Sequence, residues 1–298
     1  MMIGGLALLC WTMAQPPAGS DPMPAAPEPN VVGIALHHRD PAVDALLDRL
    51  EVADAGMTDL TGALVYTRVN VILEDIQTRI GSLKFVVLPP KEAGRRPRRV
   101  FLAHFTQYID PHTKRDEDEQ WGFDGQWLIE RNAREKTRIA RQMARPGEDV
   151  DPLRLGEGPL PIPLGQRKAE ILSRYDVSQR DVKEGLEASE AVNFRAYVND
   201  AVQLHLKPLR PDESFDEVRL WYRDDAQGRL LPILARSARF DREGEETDVV
   251  YVQLVNVKIN QGLTLDDVAV APAGQDWREK IEALPAQVVG EAAQGDKP

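Results

Sequence analysis

The side chains best suited to chemistry lie in one acidic stretch in the first half of the chain. Its members are Asp110, His112, Asp116, Glu117, Asp118 and Glu119. Clustered carboxylates bind hard divalent cations, so a metal-dependent hydrolase using Asp110, His112 and Asp116 is one hypothesis. The glycine and the spacing of a calcium loop are absent, and Lys114 and Arg115 interrupt the cluster. A solvated loop is therefore the favoured interpretation.

A second charged group precedes it. Arg95, Arg96, Arg98 and Arg99 lie between two predicted strands and could bind an anion or a lipid headgroup. Runs of charge usually sit in water, so the solvated end of a hairpin is favoured.

Other catalytic signals are missing from the sequence. It has no Gly-x-Ser-x-Gly, His-Glu-x-x-His or Cys-x-x-Cys motif, which mark common nucleophile, zinc and thiol sites. We therefore expect neither an enzyme nor a cofactor. Nucleic-acid binding is also disfavoured, because the formal charge of -11 repels phosphate backbones.

The two ends of the chain differ in composition from its middle. Residues 1–14 are an apolar run with the length of a signal peptide, which predicts export to the periplasm or beyond. Cys10, the single cysteine, falls in this run. Residues 15–38 form a Pro- and Ala-rich tether, and residues 286–298 a polar tail. The folded domain is predicted over residues 39–285.

A helix followed by strands is predicted next. Asp40 is a good N-cap, and Pro41 fits the first helical turn. Leu46 and Leu50 belong to the apolar stripe of this helix, which is predicted to end at Gly56. Strands follow, because apolar residues alternate on one face of each segment. The residues predicted to share such faces are Ala63, Val65, Val69, Val71 and Leu73, then Leu83, Phe85 and Val87, then Phe101, Ala103 and Phe105, and then Trp127 and Ile129.

The second half of the chain begins with an interruption. Prolines between Leu155 and Gly165 forbid a regular helix there. A short helix is predicted around Ile171, and a capping-box pattern at Ser178 predicts another. Strands then resume through Leu204, Leu206, Leu220 and Tyr222, with turns every eight to twelve residues. His104 and His205 are predicted on exposed strand faces.

This order of parts resembles the LolA-like family of periplasmic outer-membrane lipoprotein carriers and lipoprotein-sorting proteins. The motifs that carry the resemblance are Phe123–Leu128, Leu204–Pro208, Leu231–Pro232, Val255–Asn260 and Ala271–Gly274. The resemblance implies an α+β fold, a mostly antiparallel half-open β-barrel with helices packed in or over its concave face. It also implies that an arginine near the second and third strands fastens the lid.

The resemblance further implies a non-catalytic monomer that carries lipid acyl chains or lipoproteins between an inner-membrane donor and an outer-membrane acceptor. The apolar residues predicted to line its cavity are Leu46, Leu50, Val65, Val69, Val71, Phe85, Phe101, Phe105, Trp127, Ile129, Leu204, Leu206, Leu220 and Tyr222. The predicted lids are the Asp40–Gly56 helix and the Pro-rich segment. Two alternatives stay open: a lipid- or lipoprotein-sensing regulator of the same fold, and the hydrolase described above.

Overall fold

A computed structural model describes residues 40–90, 97–148, 150–151, 153, 155, 159–162, 164–211 and 214–285. The predicted signal peptide, the tether and the C-terminal tail lie outside these residues, so those three predictions stay predictions. None of the described helices is long and apolar enough to cross a membrane.

One large sheet dominates the described chain. Its strands are β1 (Asp59–Asn70), β2 (Asp75–Leu88), β3 (Arg98–Ile109), β4 (Lys114–Phe123), β5 (Trp127–Asn132), β6 (Thr137–Gln142), β7 (Tyr175–Arg180), β8 (Val202–Pro208), β9 (Glu217–Asp224), β10 (Leu230–Phe240), β11 (Glu246–Ile259) and β12 (Arg278–Glu282). Their order is β12-β6-β5-β4-β3-β2-β1-β11-β10-β9-β8-β7. Neighbouring strands are antiparallel except β12 and β6, which are parallel. The sheet is thus open, with β12 and β7 at its two edges.

In the described part of the chain, three α-helices accompany the sheet: α1 (Pro41–Glu51), α2 (Lys168–Arg174) and α3 (Val192–Tyr197). The predicted cap of α1 is confirmed, because the Asp40 carboxylate accepts a hydrogen bond from the Ala42 backbone N–H at 2.9 Å. The helix ends at Glu51 rather than at Gly56, which lies in the following turn with φ of +70°. The helix predicted from Ser178 is wrong. Ser178 lies in the edge strand β7, paired with His205 of β8, and residues 181–187 form a turn and loop instead of a helix.

One face of the sheet surrounds the main hydrophobic core. Phe101 of β3 and Leu128 of β5 belong to the same buried cluster as Val177 of β7 and Leu204 of β8. Strands near opposite edges share one core, so the sheet curves around it, and we call this side the concave face. The predicted fold class, a mostly antiparallel half-open barrel with helices on its concave face, is confirmed.

The opposite, convex face is also partly covered. Residues 181–201, which include α3, pack Leu186 and Val198 against Trp221 of β9 and Tyr251 of β11. The Trp221 indole N–H donates to the Val182 carbonyl oxygen at 2.7 Å. A second patch joins Val268 to Val86, Val100 and Leu102. Several strands are therefore buried on both sides, which removes the alternation expected of a half-buried sheet.

A charged network lies beneath this convex covering. The Glu217 carboxylate accepts hydrogen bonds from Arg219 Nε at 2.7 Å, Arg236 Nη1 at 3.1 Å and His205 Nε2 at 2.9 Å. Arg236 also pairs with Glu246. Burial would raise the pKa of Glu217, but the hydrogen bonds from His205 and Arg219 lower it to about 2. The prediction of an exposed His205 is wrong, since only 4% of this residue is exposed.

Candidate functional site

The concave face presents a continuous apolar surface. Phe85, Phe101 and Phe123 lie side by side on three neighbouring strands, and Leu60 of β1 faces Phe85. All four side chains belong to the main core. Paired residues on adjacent strands point to the same side of a sheet, so this surface runs without interruption across the strands.

A segment with no described helix or strand covers part of this surface. We call the described residues between 150 and 165 the lid segment. Its buried side chains are Leu153, Leu155, Leu160, Ile162 and Leu164, all exposed by 2% or less. The lid segment therefore supplies five aliphatic side chains to a core that the sheet surrounds.

Polar side chains of the following residues hold the first part of the lid segment. The Gln166 amide donates to the Leu153 carbonyl oxygen at 3.0 Å, and the Tyr175 hydroxyl donates to the Leu155 carbonyl oxygen at 3.3 Å. The described backbone hydrogen bond within the lid segment is local, from Ile162 N–H to the Leu160 carbonyl. Hydrogen bonds from side chains and burial of apolar side chains thus hold much of the lid segment against the rest of the protein.

Arg99 joins the lid segment to the chain that follows α1. Its guanidinium pairs with Asp54 and donates from Nη1 to Asp151 at 2.6 Å. Nη2 also donates to the Gly165 carbonyl oxygen at 3.4 Å. The Arg99 side chain is 10% exposed, so its prediction as part of a solvated hairpin end is wrong. Arg95 and Arg96 of the same cluster lie outside the described residues.

A cavity of about 360 Å³ lies beside Arg99. It is lined by apolar side chains such as Met57, Val87 and Val150, together with Asp54 and Asp151. Met57 belongs to the main core, and Val87 and Val150 pack against it. The cavity therefore connects the edge of the apolar core with the ion pairs that hold the lid segment.

Farther along the same strands, the concave face carries a rigid aromatic group. The Trp121 ring meets Phe105 at 4.9 Å and Tyr66 at 5.2 Å between centroids, each edge to face. The Glu119 carboxylate accepts from the Trp121 indole at 2.9 Å and from Arg79 Nε at 2.8 Å. Burial raises the pKa of the Tyr66 hydroxyl. These paired polar groups fix the aromatic side chains in place.

Most of the predicted cavity residues lie in the main core. They are Leu46, Leu50, Phe85, Phe101, Phe105, Leu204, Leu206, Leu220 and Tyr222. None of the fourteen predicted residues lines the 360 Å³ cavity. Their contact with a ligand stays a prediction.

The other five predicted residues lie outside the main core, so the strand faces predicted for them are wrong. Val69 is in the convex-face core, and Val71 lies in a turn with 41% of its surface exposed. Val65 is paired with Gln253, whose neighbour Leu234 belongs to the convex-face core. Trp127 and Ile129 flank Leu128, the residue of β5 that faces the main core. Because side chains alternate along a strand, these two point away from it.

Two carboxylates of the acidic stretch, Asp110 and Asp118, are bonded to other groups of the protein. Asp110 accepts hydrogen bonds from the backbone N–H groups of His112 at 2.8 Å and Thr113 at 2.7 Å, which lower the pKa of its carboxyl group. Asp118 pairs with Arg131 and His104. Among the described residues, no group of three His, Cys, Asp or Glu side chains is placed to hold a metal ion.

Comparison with known proteins gives matches of structure alone. The sequence matches no protein-family model and no curated protein. A conserved Thermus thermophilus protein is 12% identical, with 81% of this chain and 99% of that chain covered at a TM-score of 0.40. A DUF1329 family protein from Desulfovibrio piger is 13% identical, with 75% of this chain and 94% of that chain covered at a TM-score of 0.34.

A LolA superfamily protein from Nitrosomonas europaea is 10% identical, with 76% of this chain and 97% of that chain covered at a TM-score of 0.28. At these identities the likeness concerns the fold alone.

Proposed function

We propose that this protein is a non-catalytic carrier that holds lipid acyl chains, free or attached to a lipoprotein, against the concave face of its sheet. The observation that carries the proposal is the lid segment, whose five buried aliphatic side chains occupy a core bordered by the strands. Displacing these side chains would free an apolar surface of the kind that a hydrocarbon chain needs. Each CH2 group removed from water contributes about 0.8 kcal/mol, so an acyl chain can replace the contacts that the lid segment loses.

Arg99 is the arginine that we propose fastens the lid. It lies on β3 and contacts the lid segment at Asp151 and Gly165, and the turn after α1 at Asp54. Opening the lid segment would separate Arg99 from two of these partners. The ion pairs therefore favour the closed state until a ligand compensates for them.

The proposal includes an exported carrier that works as a monomer. The composition of residues 1–14 supports export. An apolar cargo would be received from a donor protein at the inner membrane and passed to an acceptor protein at the outer membrane. These partners are part of the proposal because an acyl-anchored cargo leaves a bilayer only when an equivalent apolar surface is offered.

The first experiment asks whether the purified protein carries lipid. Protein prepared without detergent is extracted with organic solvent, and the extract is analysed by mass spectrometry. We expect fatty-acyl material at a reproducible molar ratio to the protein. Repeated extractions without acyl chains, together with one stable protein partner in a pull-down, would instead support the sensing regulator.

The second experiment tests the role of Arg99. We expect Arg99→Ala to take up a fluorescent fatty acid at least about tenfold faster, because loss of about 1.4 kcal/mol from the closed state gives that factor. The measurement is the rate of fluorescence increase after mixing protein and probe.

The matched control is Arg138→Ala, which removes an arginine that pairs with Glu279 at the β6–β12 edge and does not line the cavity. Its uptake rate should stay close to that of the unchanged protein. Equal rates in all three proteins would contradict a lid held by Arg99.

A further inference from the structure

The turn between β1 and β2 exposes three consecutive aliphatic side chains. Val71, Ile72 and Leu73 are 41%, 72% and 73% exposed, and we call them the hairpin tip. Single exposed aliphatic residues are common on protein surfaces, but an uninterrupted group of three suggests an interaction site.

The hairpin tip is an ordered turn. The Asn70 side-chain oxygen accepts a hydrogen bond from the Leu73 backbone N–H at 3.0 Å, and the Glu74 N–H donates to the Val71 carbonyl at 3.3 Å. The Val71 N–H donates to the Thr247 carbonyl at 3.0 Å. The backbone therefore holds these side chains outward in a defined conformation.

The turn extends past the neighbouring strand β3. The pairing of β2 with β3 starts at Thr78 and Ile109, so residues 75–77 have no β3 partner. The hairpin tip therefore extends beyond the end of β3, while on its other side Val71 is still bonded to Thr247 of β11.

Polar and charged groups lie next to the hairpin tip. Arg68 pairs with Asp248 at 2.5 Å, and the Gln77 amide donates to Asp75 at 2.6 Å. Glu74 follows the hairpin tip directly. Arg68 is neutralised by its partner, and the charged residues that directly follow the hairpin tip in the chain, Glu74 and Asp75, are acidic.

We propose that the hairpin tip inserts into the surface of a lipid bilayer with electrically neutral headgroups. A short group of aliphatic side chains enters a soft apolar medium without needing a matching pocket. Protein interfaces depend instead on Trp, Tyr and Arg, and valine and leucine are under-represented among their main contributors. The acidic residues beside the hairpin tip repel anionic headgroups, so among lipid surfaces a neutral one is favoured.

This inference goes beyond the proposed function. Insertion of the hairpin tip needs no acyl chain on the concave face, and acyl binding needs no contact at the hairpin tip. Lipid extraction tests the carrier, and the experiment below tests the contact with a bilayer, so either can fail alone.

The experiment places an environment-sensitive dye at the hairpin tip of the full chain. In a Cys10→Ser background, Ile72→Cys is labelled with nitrobenzoxadiazole and mixed with phosphatidylcholine vesicles. The control label is at Ile281→Cys, another exposed isoleucine, with 65% of its surface accessible. We expect a blue shift and an intensity gain at position 72, and no change at position 281.

A second measurement uses label-free variants. Ile72→Ser combined with Leu73→Ser should raise the vesicle concentration needed for half-maximal co-sedimentation at least about tenfold, because two aliphatic contacts are lost. Leu265→Ser with Ile281→Ser is the matched control. Vesicles containing phosphatidylglycerol should bind less protein than neutral ones.

Two outcomes would overturn the proposal. One is a dye at position 72 that responds to vesicles no more than the dye at position 281. The other is a dye that responds to a purified protein partner and not to vesicles, which would assign the hairpin tip to a protein contact.

Discussion

Replacing Glu217 with glutamine is expected to lower the free energy of unfolding by about 3–5 kcal/mol, the range observed when one partner of a buried ion pair is removed. Arg219 and Arg236 would keep their charges in the convex-face covering but lose the carboxylate that lies between them. Urea denaturation of the variant and of the unchanged protein at neutral pH measures the difference.

The same substitution should change the dependence of stability on pH. The pKa of Glu217 is lowered to about 2 from an ordinary value of 4.5. The carboxylate therefore contributes about 3 kcal/mol above pH 4.5, and this contribution is lost as the pH falls toward 2. Unfolding free energies across this range should fall less steeply for Glu217→Gln than for the unchanged protein.

Glu279→Gln makes the same chemical change at an exposed site. Glu279 pairs with Arg138 at the sheet edge, and its side chain is 44% exposed. Exposed ion pairs contribute about 0–1 kcal/mol, so this variant should be nearly as stable as the unchanged protein. Equal losses of unfolding free energy for the two variants would show that the buried network around Glu217 stabilises the fold no more than an exposed ion pair does.

The second large effect is expected at Gly81 of β2. A Cβ atom there would lie 1.9 Å from the His104 carbonyl oxygen and 2.7 Å from the Phe105 Cα. Both contacts are with backbone atoms of β3, at a place where the strand register shifts. Gly81→Ala should therefore lower the unfolding free energy by about 2–4 kcal/mol, since overpacking against a fixed backbone is hard to relieve. Thermal and urea denaturation both measure it.

Gly62→Ala is a suitable comparison on the adjacent strand. Its Cβ would meet the Val255 carbonyl oxygen at 3.2 Å, a contact that a small shift relieves. We expect a loss of about 1 kcal/mol or less. A Gly81→Ala variant as stable as Gly62→Ala would mean that β3 moves away readily.

Clear alternation in several strands predicted an antiparallel β-rich domain, whereas the half-open barrel with helices on its concave face was implied by the resemblance to the LolA-like family. Leu204 and Leu206 of β8 face the main core, as their spacing indicates. The first helix was also predicted correctly at its start, since Asp40 and Pro41 combine two independent signals for an N-terminus.

Strand faces were predicted less well where both sides of the sheet are covered. In β1, Leu64 faces the main core and Val69 the convex-face core. Apolar residues on both sides leave no alternation by which to choose a face. The set predicted for β1, which begins at Ala63 and Val65, is one residue out of step with Leu64. The same error at Trp127 and Ile129 placed Leu128 on the wrong side.

The candidate site depended on contacts between distant parts of the chain. Nothing local to Arg99 indicates that Asp54 and Asp151 lie beside it, because 45 and 52 residues separate them. The environment of His205 was missed for a similar reason. Its strand alternates, but residues 181–201 cover the face that alternation marked as exposed.

The strand order also bears on how this chain reaches its native state. Most pairings join consecutive strands, so each half of the sheet can grow by adding successive hairpins. The pairing of β1 with β11 is different, because Arg68 and Asp248 are 180 residues apart. Closing so long a loop is entropically costly, which raises the contact order and slows folding. Until β11 is available, β1 is left with an unpaired backbone edge, and the newly made chain is open to aggregation for that time.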